Sequence, residues 1–164
     1  VNTKDLQQLV KAKEQLIEWK AQLAKFESEQ YKNGIASGEY IVVQGYSGDI
    51  LQVMQENDDV CFALPKEGTT TSIDFLVIPK EAQKVALAHE FINYLYEPAV
   101  AAANMNFTCY LSPNTQGLQL IEDRLKALFT EFLADETLQK IELIHDVGST
   151  SEAYNKIWDE VKAH

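Results

Sequence analysis

The chain has 164 residues, 46% of them hydrophobic and 24% charged, with 14 basic against 25 acidic side chains and a formal net charge of -11. That length suits one domain, and the balance is that of a globular chain rather than a disordered or collagen-like one. The acidic excess argues against a nucleic-acid partner, whose phosphates it would repel, and is compatible with a cationic ligand, whose encounter a negative field speeds. No run reaches the ~18–20 apolar residues of a membrane-spanning helix. The chain opens at Val1 rather than at methionine and shows no signal peptide. We therefore expect a piece of a longer polypeptide, with any targeting segment removed or never included.

In chain order, Asn2 is placed to cap a first helix, with Asp5 completing a capping-box-like pair. Leu6, Leu9, Val10, Leu16, Ile17 and Leu23 mark one face of that helix, from about Lys4 to Trp19. Ser28–Ala36 reads as a short second helix closed by Gly38, and Tyr40–Val43 as a buried strand. In Gln44-Gly45-Tyr46-Ser47-Gly48-Asp49 the two glycines allow tight backbone turns, and Asp49 opens a helix to Gln55. A strand end followed by a helix start is where open α/β sheets place ligands.

Val60–Leu64 is the next expected strand, and the turn Pro65–Gly68 leads to another over Thr71–Ile78. Glu81–Tyr96 is a predicted helix with Val85, Ala88, Phe91, Ile92 and Leu95 inward. Pro98 restarts a helix through Ala99–Ala103, since proline is tolerated in a first turn. Asn106–Asn114 is expected to be extended, followed by helical pieces at Thr115–Glu122, Leu125–Leu133 and Glu136–Gln139 and an extended Ile141–Ile144. A last helix, Ser151–Lys162, would bury Ala153, Tyr154, Ile157, Trp158 and Val161. Strands separated by helices point to an α/β architecture.

Asp74 is the single ionisable side chain inside the run Thr71–Ile78. Strand alternation puts it on the face of Ser72 and Leu76, opposite Ile73 and Phe75. Around it the order is Pro65-Lys66-Glu67-Gly68, the Asp74 strand, Ile78-Pro79, a helix, Pro98, and Tyr110-Leu111-Ser112-Pro113-Asn114. His145-Asp146-Val147-Gly148 and Ile157-Trp158-Asp159-Glu160-Val161-Lys162 follow. This pattern resembles the C-terminal half of the bacterial solute-binding proteins that deliver spermidine and putrescine to an ABC transporter. The resemblance implies a partial type II periplasmic-binding-protein-like α/β fold with two lobes joined by hinge-crossing strands. Residues 1–73 would form a second-lobe segment, 74–113 a hinge-crossing and first-lobe segment, and 114–164 the return. Leu23–Phe26 would be a short strand. The implied partners are a polyamine and an ABC permease, in a periplasmic or otherwise extracytoplasmic setting, with a lipid anchor on the full-length protein as one form of it.

Ammonium groups need carboxylates, and a methylene chain with cationic ends favours aromatic faces. The resemblance assigns Asp74 to an amine, the alternative being a hinge-strand carboxylate satisfied by backbone amides or a threonine. It makes Tyr110 a cleft tyrosine, against a core tyrosine with a bonded hydroxyl, and Tyr46 a ring stacked on the ligand. Ser72 departs from the pattern: many members have tryptophan there, and serine forgoes ~1–3 kcal/mol of burial together with cation–π attraction. Ile144 departs where some members carry glutamine. A smaller or different amine is therefore an open alternative. Asp49 is read as a stabiliser of a helix N-terminus, with approach to a cation as the other reading.

His89 and His145 lack a second ligand at metal-binding spacing, so no metal or cofactor is expected. Tyr94, Tyr96 and Trp158 are read as packing. Cys61 and Cys109 are read as two buried thiols, with a disulfide as the alternative. No nucleophile elbow, phosphate loop or zinc-protease motif is present. The leading expectation is a non-enzymatic receptor; the competing one is a sensing or protein-interaction module of the same fold. The isolated chain is expected to bind polyamine weakly or not at all, and its exposed core to favour self-association.

Overall fold

Asp5, Pro98 and Asn114 mark the starts of three helices in this computed structural model, which describes residues 2–164 apart from the Glu131 side chain. In order the elements are α1 (Leu6–Lys20), α2 (Tyr31–Ser37), α3 (Ser47–Glu56), β1 (Thr69–Thr71), α4 (Val85–Leu95), α5 (Pro98–Thr108), α6 (Thr115–Leu118), α7 (Asp123–Phe132), α8 (Asp135–Leu138), β2 (Ile141–Leu143) and α9 (Ser151–Ala163). Asp5, rather than Asn2, caps α1 by accepting the Gln7 amide. Asn2 is engaged elsewhere: it donates to Glu142 and to the Leu143 carbonyl and accepts the His145 amide. Pro98 opens α5 as expected, because its missing N–H is unpaired at a first turn anyway. That helix runs on to Thr108 and is capped by Cys109 in the left-handed region, so the expected extended segment does not begin at Asn106.

The chain folds as two compact units, one comprising Val1–Ser28, Thr70–Ser72 and Glu142–His164, the other Glu29–Thr69 and Ile73–Ile141. In the first, α1 and α9 pack around Leu9 and the fully buried Val161. Lys13 pairs with Glu160 at 2.9 Å, and this hydrogen bond holds the Glu160 carboxyl below its usual range. Lys20 donates to the carbonyls of Val161 and Lys162, which helix geometry leaves open at the end of α9. Phe26 meets Trp158 edge-on, with 5.1 Å between ring centroids. The second unit has the larger core, where Leu51, Met105, Cys109, Ile121, Leu125 and Phe129 from α3, α5, α7 and their flanks close on one another.

Strands β1 and β2 pair in a two-stranded sheet. Thr69 donates to the Lys140 carbonyl and Ile144 to the Thr71 carbonyl, at 3.0 and 2.9 Å. Both bonds advance in the same sense, so the pair is parallel and needs the long crossover that the helices from α4 to α8 supply.

Several predicted elements differ. Leu23–Phe26, Tyr40–Val43, Val60–Leu64 and most of Thr71–Ile78 are not strands. β-branched composition describes what fits a pleated sheet, but a strand also requires a neighbour's ladder. Among the described residues the ladder is β1–β2 alone. Ile41 is accordingly 92% exposed and Phe75 78%. The α4 face read as inward has no buried residue, Tyr94 and Tyr96 are exposed, and on α1 only Leu9 is buried. Cys61 is exposed, Cys109 is buried, and both thiols are free.

Candidate functional site

The turn from Gly45 to Asp49 is braced by side chains from outside it. Tyr46 precedes α3, and Asp49 lies in its first turn, where the helix end favours a negative charge. Neither glycine has a positive φ. Their role is space, which corrects the reading that they serve turn geometry. A Cβ on Gly45 would come 2.5 Å from the Tyr31 ring, and one on Gly48 would collide with the Tyr110 ring. Two tyrosine rings thus lie directly on the backbone of this turn.

Tyr31 donates to Asp49 Oδ2 at 2.5 Å and accepts the Tyr46 amide at 3.2 Å. The Tyr110 ring lies on Gly48, where its hydroxyl feels the Asp49 charge. Burial pushes the Tyr31 hydroxyl up to about 12, helped by its bond to the carboxylate. Burial and then the Asp49 charge push Tyr110 up in the same direction. Both phenols therefore stay protonated at neutral pH, and Tyr31 acts as a donor to the carboxylate.

Tyr110 reaches this position because Cys109 caps α5 in the left-handed region, at φ 56°. The same helix end is pinned by Gln52, which donates to the Thr108 carbonyl at 2.7 Å and accepts from Lys32. Helices α2, α3 and α5 are thereby tied through one glutamine.

Of the residues singled out in the sequence, Tyr110 and Tyr46 are brought to this turn, both substantially exposed at 40% and 62%. Asp74 is exposed in the irregular segment after β1, and among the described residues no hydrogen bond or ion pair joins it to the turn. Ser72 is exposed and belongs to the first unit, as does Ile144. His89 and His145 are exposed, and among the described residues no group of three or more His, Cys, Asp or Glu is placed to hold a metal ion. Sequence reasoning gave Asp49 a capping role and passed over Tyr31. The available signal was Gly45 and Gly48 flanking Tyr46, since closely spaced glycines outside the left-handed region imply something bulky against the backbone.

Comparison with known proteins gives this geometry a context. Residues 1–129 match the family described as bacterial extracellular solute-binding protein. The chain is 30% identical over 98% of its length to a putrescine/cadaverine-binding protein of Pseudomonas aeruginosa, covering 48% of it. It is 27% identical over 99% of its length to the spermidine/putrescine-binding periplasmic protein of Escherichia coli, covering 47%. The chain thus spans about half the length of these curated relatives. The crystal structure of the TpPotD lipoprotein of Treponema pallidum superposes with a TM-score of 0.66 at 28% identity, over 98% of this chain and 50% of that one. The fold is that of a type II periplasmic binding protein, in partial form and mostly helical. The chain belongs to the bacterial extracellular solute-binding protein family.

Proposed function

We propose that this chain forms part of an extracytoplasmic receptor for a polyamine such as putrescine or spermidine, which it hands to an ABC permease. The observation that carries the reading is the half-buried Asp49 on a turn that also bears the exposed Tyr46 and carries the Tyr110 ring on Gly48. An ammonium is held by such a carboxylate and its methylenes by such rings. Asp74 supplies a second carboxylate in the proposal. The relatives' names point to the same ligand class, and the family to the same side of the membrane. The work done is capture and release, with no bond made or broken.

In this proposal residues 1–73 and 114–164 belong to one lobe, and 74–113 cross the hinge into the other. Ligand contacts on both sides of a cleft favour the closed population, and closure is what a permease recognises. The isolated chain then binds diamines only weakly. Its exposed apolar segments, including Ile41, Val42, Phe75 and Val77, drive self-association in the same preparation.

The test is calorimetric titration of the chain joined to the N-terminal half of the Pseudomonas aeruginosa relative, with putrescine, spermidine and small zwitterions, repeated for Asp74→Asn. Tight diamine binding that collapses in the variant is the expected result. Diamine binding untouched by the variant removes Asp74 from the site, and a zwitterion bound in place of the diamine overturns the ligand. Micromolar binding by the isolated chain would contradict the two-sided clamp.

A further inference from the structure

We propose that Tyr31 is the positioning residue of this site: its buried hydroxyl locks the Gly45–Asp49 turn and sets the direction in which Asp49 offers its carboxylate. The inference deepens the amine-site reading above and rests on it. Tyr31 is only 5% exposed, so it acts through its neighbours rather than by touching a ligand.

A phenol has one proton and two lone pairs, and Tyr31 uses both functions on one turn. The proton goes to Asp49 Oδ2 at 2.5 Å, and a lone pair receives the Tyr46 amide at 3.2 Å. The ring itself lies on Gly45, in the space a Cβ would fill. One side chain therefore holds the start of the turn by packing, its middle through the backbone and its end through the carboxylate.

The carboxylate torsion of an aspartate is broad when nothing restrains it, and a charge-assisted bond to a buried donor removes that freedom. An ionised carboxylate has about four acceptor positions, so those left open by the Tyr31 phenol are the ones a cation can use. Their direction is set by Tyr31. The Tyr46 ring is aimed by the same anchor, because its amide is bonded to the oxygen that holds Asp49.

The experiment is a heteronuclear NMR titration of the chain with putrescine, which registers millimolar affinity, on wild type, Tyr31→Phe, Asp49→Asn and the double variant. Amide exchange at Tyr46 is followed in the same samples. Tyr31→Phe keeps the ring on Gly45 and removes only the hydroxyl. We expect putrescine affinity to fall about tenfold in Tyr31→Phe, as for a lost hydrogen bond to a charged group. In the Asp49→Asn background the same change should have little further effect, because the positioned group is already gone. Tyr46 amide exchange should accelerate in Tyr31→Phe while the amides of α5 keep their protection.

An equal loss of affinity in both backgrounds would show that Tyr31 only supports the fold, and an unchanged affinity would overturn the proposal outright. If wild type shows no response to putrescine, either alone or joined to the N-terminal half of the Pseudomonas aeruginosa relative, the amine reading fails. The lock on the turn is then judged by Tyr46 exchange: unchanged exchange in Tyr31→Phe overturns it, and acceleration confined to the turn upholds it.

Discussion

The turn at Gly45–Asp49 and the segment Ile73–Ile78 are both short, lie in the same unit, and carry the acids most relevant to a cationic ligand, yet they are built in opposite ways. The turn is held by ring packing on two glycines, by a backbone bond to a phenol and by that phenol's bond to the Asp49 carboxylate. The segment around Asp74 is irregular, and its apolar residues are exposed, as Phe75 and Leu76 show. The first is set by contacts within this chain. The second has the composition of a sheet interior without a ladder. An acid placed by local braces is ready for a ligand, whereas one on an unbraced segment is not held in one direction.

The largest effect should come from the core beneath the turn. Phe129→Ala removes a fully buried ring packed with Leu51 and Met105, and should destabilise the second unit by ~3–5 kcal/mol in urea unfolding. The matched change in the exposed segment, Phe75→Ala, should shift the same curve by no more than about 0.5 kcal/mol. It should instead reduce self-association in light scattering. Comparable losses from both would break the contrast.

Alkaline pH tests the brace without mutation. Tyr31 has a folded value of about 12 against an ordinary 10.0. The neutral phenol is therefore favoured by folding, and its contribution is complete below the ordinary value and lost as pH rises through the folded one. Two units correspond to roughly 2–3 kcal/mol. Stability measured by urea unfolding should fall between these two values, and the fall should be smaller in Tyr31→Phe.

Gly48→Ala sharpens the comparison further. The new methyl collides with the Tyr110 ring, and the strain should cost ~1–3 kcal/mol. Tyr110 should leave Asp49, visible as a downward movement of its alkaline titration, since the burial and the Asp49 charge that hold it up are both lost.

The sequence disclosed much of this and concealed a specific part. Helices such as α3, α5 and α9 were legible from periodicity and from Pro98, and the turn at Pro65–Gly68 closes with a Gly68 amide bond to the Pro65 carbonyl at 3.0 Å. The expected strands were misread because Ile41-Val42-Val43 reports suitability for a sheet and not the presence of a neighbour. At the site, Tyr110 and Tyr46 stood out as aromatic residues beside turns. The link from Tyr31 to Asp49 did not, because a tyrosine opening a short helix looks the same whether its hydroxyl meets water or a distant carboxylate. Asn2 misled for a related reason, since its side chain serves residues at the far end of the chain.

The most direct test of the account is NMR titration of the chain with putrescine and, separately, with butanediol, which has the same carbon chain without the charges. The account predicts that putrescine shifts the resonances of Tyr46, Asp49, Asp74 and Tyr110 while butanediol leaves them in place. Equal responses to the two, or a response to putrescine confined to other residues, would contradict it.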